Sequence, residues 1–103
     1  MQVVFHINEV DRWDMVLSNI KNFLAEVAEA KITIVANGSA VKYYLEDNIP
    51  QETFKAVDVV ACQNSLRNQE ISKEQLNPLI RIVDSGVVEL ANKQAEGYAY
   101  IRP

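Results

Sequence analysis

The chain has 103 residues, 49% apolar and 23% charged, enough for one folded domain with a modest core and unlike a disordered or fibrous composition. Its net charge of −4, with no Lys/Arg cluster, argues against nucleic-acid binding, which needs a basic surface. The single cysteine excludes an intramolecular disulfide. The first apolar run is too short for a signal peptide or a membrane span, so a reducing cytoplasm is the expected setting.

Val3, Val4, Phe5 and Ile7 predict a first strand, with His6 and Asn8 near its carboxyl end. Asp11 is placed to cap a long helix in which Trp13, Leu17, Ile20, Leu24, Val27 and Ala28 recur at three- and four-residue spacing, a face packed on a sheet. Lys31 to Ala36, KITIVA, is a second β-branched run. Asn37-Gly38 ends it, Ser39 can cap a helix from Ala40 to about Glu46, and Asp47-Asn48 marks a turn. Pro50 suits the first position of another short helix. Val57, Val59 and Val60 then form a strand of the kind buried on both faces.

That strand stops at Ala61-Cys62, where Asn64 and Ser65 can cap a short helix. Ser72 and Gln75 have the spacing of a capping box, and Pro78 stops the helix they begin. Ile80 to Val83 is a fourth strand. Ser85 can cap a last helix, Val87 to about Glu96, which Gly97 ends before a fifth strand at Tyr98 to Ile101. Five strands alternating with helices predict an α/β domain over residues 1–103, with a mostly parallel sheet and helices on both faces. Its strand order cannot be read from the sequence.

A parallel sheet gathers its carboxyl strand ends on one edge. His6 and Asn8, Asn37 and Gly38, Cys62, and Ser85 and Gly86 therefore share that edge, and Asn64 and Ser65 follow Cys62. A thiol is nucleophilic as its thiolate, and a helix N-terminus lowers its pKa by roughly one unit or more; Arg67, a turn further on, could add to this. The same Cys62 is equally readable as a small buried hydrophobe ending a strand. His6 can partner the thiol or sit half-buried against backbone. Asn37-Gly38-Ser39 can hold a small anion on free N–H groups or form a capped turn.

Other chemistries lack their residues. The three glycines, Gly38, Gly86 and Gly97, make neither a dinucleotide fingerprint nor a phosphate loop. The segment HINEVDRW lacks the glycine and hydroxyls a flavin phosphate would use. No carboxylate cluster joins the one cysteine and one histidine into a zinc site, and no GxSxG elbow is present. No cofactor or metal is expected.

Four stretches, VVFHINE, ITIVANGSAVKYYL, VDVVACQNSLRN and SGVVELANKQAEGYAYIRP, together resemble the DsrE/DsrF-like family of sulfur-oxidation and sulfur-relay proteins, closest to its short stand-alone members. The resemblance implies a three-layer α/β/α fold, flavodoxin-like in appearance, and a homo-oligomer, a trimer or hexamer. It implies that Cys62, matching the relay cysteine after a central strand, carries sulfane sulfur as a persulfide between donor and acceptor proteins. The segment after it, CQNSLRN, differs from the longer loop of the hetero-oligomeric relay proteins. A non-catalytic ligand-binding or assembly module of the same fold, with Cys62 structural, is the alternative, because some family members have no working cysteine. A redox sensor is the third possibility, though no second cysteine is present to resolve a sulfenic acid.

Overall fold

A computed structural model describes residues 1–45 and 49–103. The strands are β1 (Gln2–Ile7), β2 (Lys31–Ala36), β3 (Asp58–Cys62), β4 (Ile80–Val83) and β5 (Ala99–Ile101). The helices are α1 (Trp13–Glu26), α2 (Gln51–Ala56), α3 (Gln63–Asn68) and α4 (Gly86–Ala95). The strands form one sheet in the order β4-β3-β2-β1-β5, and every pairing is parallel.

This order explains how the helices are layered. From β1 to β4 the chain steps three times in the same direction, and crossovers of one hand then put their helices on one face. The return from β4 to the far side of β1 runs the opposite way, so α4 lies on the other face. The packing follows suit. Trp13, Val16 and Ile20 of α1, Phe54 of α2 and Leu66 of α3 join Val3, Phe5, Ile34, Val59 and Ala61 in the larger core. Leu90 of α4 packs with Val4, Val35 and Val60 in a smaller one. The second layer is therefore thin.

The last members of the expected stripe, Val27 and Ala28, lie beyond the end of α1 and Ala28 is exposed, but as far as Leu24 the stripe packs in or against the core, centred on Trp13. Its ring stacks on Tyr43 at 4.5 Å between centroids, lies 5.4 Å from Tyr44 and 6.2 Å from Phe54, and its indole N–H donates to the Ala40 carbonyl at 2.8 Å. Tyr44 is fully buried and donates to the Val60 carbonyl at 2.9 Å.

Several starts differ from the sequence reading. Asp11 lies in a 3₁₀ turn, Val10–Arg12, ahead of α1 and makes no side-chain cap. Ser39 lies inside a 3₁₀ helix, Gly38–Leu45, and its hydroxyl accepts from the Val10 N–H at 3.1 Å, tying that helix to the turn Val10–Arg12. The expected helix end at Glu46 and turn at Asp47-Asn48 lie outside the described residues. Pro50 is the N-cap of α2 and not its first residue. The Ser72–Gln75 capping box forms, but on a single 3₁₀ turn, Lys73–Gln75. Ser85 caps α4, accepting from the Val88 N–H at 3.4 Å, and Gly97 ends it at φ +98°. No helix among the described residues is long and apolar enough to cross a membrane.

Candidate functional site at the end of the third strand

Between β3 and β4 the connections part: α3 leaves to the large-core face and α4 to the other. Such a switch in direction opens a crevice at the carboxyl edge of an open parallel sheet. Cys62 closes β3 beside Val83 of β4, so it stands at that switch point. Its side chain shares the α4 face with Val60, by the two-residue period of a strand.

Cys62 is itself the N-cap of α3, with extended backbone at φ −83° and ψ 119°. Asn64 and Ser65 are thus not caps, as their residue types suggested, but first-turn residues. The helix begins without a spacer after the strand, which leaves their N–H groups without helical acceptors. Those two N–H groups, the Gly86 N–H and the Ser65 hydroxyl lie close enough to the Cys62 sulfur to act on its ionisation. Burial pushes the thiol pKa up; the Ser65 hydroxyl, followed by the N–H groups of Gly86, Ser65 and Asn64, outweighs it and holds the thiol below its ordinary value. Cys62 is 5% exposed. Arg67 is bonded instead to the Asn64 Oδ1 at 2.8 Å, and the groups that lower the thiol are neutral donors.

Two glycines make this contact possible. Gly38 donates its N–H to the Ser65 Oγ at 2.8 Å, which leaves the Ser65 proton for the sulfur. Gly38 sits at φ +57°, and a Cβ there would lie 2.7 Å from the Asn8 carbonyl oxygen, so a side chain is excluded by both conformation and space. A Cβ on Gly86 would lie 3.1 Å from the Cys62 Cβ and 3.4 Å from the Asn37 Cβ. Its absence lets the start of α4 press against both residues.

His6, half-buried, lies across the same face. Its Nε2 is 3.0 Å from the Asn37 Oδ1 and its Nδ1 is 2.6 Å from the Tyr100 hydroxyl. The amide oxygen can only accept, so Nε2 carries the proton. Burial lowers the His6 pKa, the Asn37 bond works against this, and Arg102 adds to the lowering. The ring is therefore neutral near pH 7, and Nδ1 accepts from Tyr100. Of the other candidates, Asn8 accepts from Arg102 at 3.3 Å through its Oδ1, and Ser85 serves as the α4 cap. The structure thus gathers Cys62, Ser65, Asn64, Gly38 and Asn37 at one place, with His6 joined through Asn37 and Asn8 further along the edge.

A family model for the DsrE/DsrF-like proteins matches residues 14–103. The chain belongs to the DsrE/DsrF-like family. It is similar, at 33% identity over 99% of this chain and 98% of the other with a TM-score of 0.90, to a protein of unknown function from Methanobacterium thermoautotrophicum. Two further solved structures share the fold. The ychN protein from E. coli is 17% identical over 100% of both chains with a TM-score of 0.76. A conserved protein of unknown function from Bacteroides thetaiotaomicron is 16% identical over 99% of this chain and 94% of its own, with a TM-score of 0.70. Comparison with curated protein sequences gives no match.

In this DsrE/DsrF-like chain the switch point can support a sulfur anion by hydrogen bonds alone, without a cationic side chain. Among the described residues no group of three or more His, Cys, Asp and Glu side chains is placed to hold a metal ion. The sequence puts Gly86 on the candidate edge without a role at the sulfur, and Tyr100 on no site at all. Gly86 follows a cap, which marks it as a free N–H, but which sulfur it meets depends on α4 starting beside β3. Tyr100 meets His6 only because β5 lies next to β1, a pairing that no local pattern encodes.

Proposed function

We propose that the protein is a sulfur carrier, or sulfurtransferase, that holds sulfane sulfur as a persulfide on Cys62. The observation that carries this reading is the set of four donor groups around one sulfur, which together outweigh burial and hold the thiol below its ordinary pKa. The family's association with sulfur relay supports it. The Cys62 thiolate attacks the outer sulfur of a donor persulfide, R–S–SH. The donor S–S bond breaks, a Cys62 S–S bond forms, and R–S⁻ leaves with the bonding pair. An acceptor thiolate then takes the outer sulfur by the same exchange, restoring the Cys62 thiolate with no net oxidation. Asn37, Asn64, Ser65, Gly38, Ser85, His6 and Asn8 form the surrounding substrate wall in this reading, and the working form is a homo-oligomer, a trimer or hexamer, in the cytoplasm.

The test is intact mass spectrometry after incubation with thiosulfate or polysulfide. A gain of one sulfur mass, lost on reduction and missing in Cys62→Ser, is expected. No adduct with any donor contradicts the reading. The 5% exposure of Cys62 favours a second reading, a non-catalytic binding or assembly module of the same fold in which the thiol is packing. That reading predicts partner or ligand binding that survives Cys62→Ser.

A further inference from the structure

A cavity of about 200 Å³ opens at the carboxyl end of β1, and His6, Asn8, Glu9, Arg12 and Arg102 are among its walls. Its two guanidiniums come from opposite ends of the chain. Arg12 ends the 3₁₀ turn after β1. Arg102 follows β5, whose Ile101 pairs with Phe5, so Arg102 comes level with His6. Among the described residues neither guanidinium forms an ion pair. Arg81, by contrast, is paired with both Asp58 and Glu89. Arg102 has a single bond, to the Asn8 Oδ1 at 3.3 Å, and most of its five donors are unused. Glu9 shares the wall and opposes an anion, yet it pairs with neither arginine. The volume equals roughly seven waters at about 30 Å³ each, which suits a small ion and not a nucleotide.

We propose that this cavity is a binding site for a small oxoanion of the sulfate or thiosulfate type, gripped by the planar forks of Arg12 and Arg102 with Asn8 and His6 as walls. It goes beyond the thiol reading and does not depend on it. The chain's one histidine is its reporter, since its ring signals are unambiguous and its charge state already feels Arg102.

The experiment is an NMR titration of the His6 ring with sodium sulfate, thiosulfate and phosphate, against sodium chloride at matched ionic strength. Saturable shifts with an oxoanion and none with chloride are expected. The same curve in Cys62→Ser, binding about tenfold weaker in Arg12→Ala and in Arg102→Ala, and tighter binding in Glu9→Gln are also expected. All these positions except His6, Asn8 and Cys62 are exposed, so the substitutions leave the core intact. Shifts that follow ionic strength alone, or arginine variants that bind as tightly as the unaltered protein, overturn the proposal. Failure here leaves the persulfide test untouched, because that test reads a mass on Cys62.

Discussion

Ser65 is the residue on which the sulfur's charge most depends. Its hydroxyl receives the Gly38 N–H at 2.8 Å and is the leading group that lowers the thiol pKa. Replacing Ser65 with Ala removes the leading favourable donor while burial remains, so the thiol pKa rises. Gly38→Ala reaches the same end through the backbone. Forcing a side chain into the left-handed region costs roughly 1–3 kcal/mol and drives a Cβ into the Asn8 carbonyl. Alkylation rates against pH check both, and an unchanged midpoint in either variant contradicts the assigned role. His6 gives a different pH signature. Its pKa is lowered in the folded state, so the unfolded chain binds the proton more readily. The stabilisation is complete above the unfolded value, about 6.5, and is lost as pH falls through the folded one. Asp58, also lowered, adds its loss only in the carboxylate range. The thiol of Cys62, also lowered, loses stability in the same direction, so chemical denaturation is compared in a Cys62→Ser background, where it shows a fall from pH 7 to pH 5 that His6→Gln abolishes. A fall that persists in that variant assigns it elsewhere.

At the scale of the elements, α4 is the helix whose placement decides the site, because its first residue supplies an N–H to the sulfur. It is fastened in its first turn by Glu89, which takes Arg81 at 2.6 Å while the same guanidinium holds Asp58 at 2.7 Å. These are partly exposed pairs, so their contribution is modest. Arg81→Ala is expected to cost about 1 kcal/mol and to speed hydrogen exchange in α4 more than in α1. Equal protection in both helices contradicts this fastening. The elements also show where the sequence was readable. Strands β2 and β4 run over the residues that their β-branched runs indicate, and Ser85 and Gly97 bracket α4 as their chemistry dictates. Asp11, Ser39 and Asn64 misled because a capping side chain is defined by its helix start. Two of those starts are 3₁₀ segments packed on each other, and the third begins directly from a strand.

Across the whole molecule, strand order is what turns a plausible strand end into a topological switch point. The sequence shows that Cys62 ends a buried strand before a helix. It cannot show that β4 lies beside it with α4 turning to the other face, because that is set by long-range pairing. The same topology leaves one face thinly covered. Val87 and Val88 on α4 are 66% and 57% exposed, with Tyr100 also open, an apolar surface that suits a second copy of the chain. Sedimentation is expected to give a trimer or hexamer, and weakened assembly in Val87→Glu. A monomer at all concentrations contradicts the oligomeric reading.

The most direct test is the pH dependence of alkylation of the one thiol in the native protein. A midpoint clearly below the free-thiol value of about 8.5, shifted upward in Ser65→Ala, is expected. A native thiol that titrates at or above that value contradicts a sulfur held as its anion, and with it the carrier function.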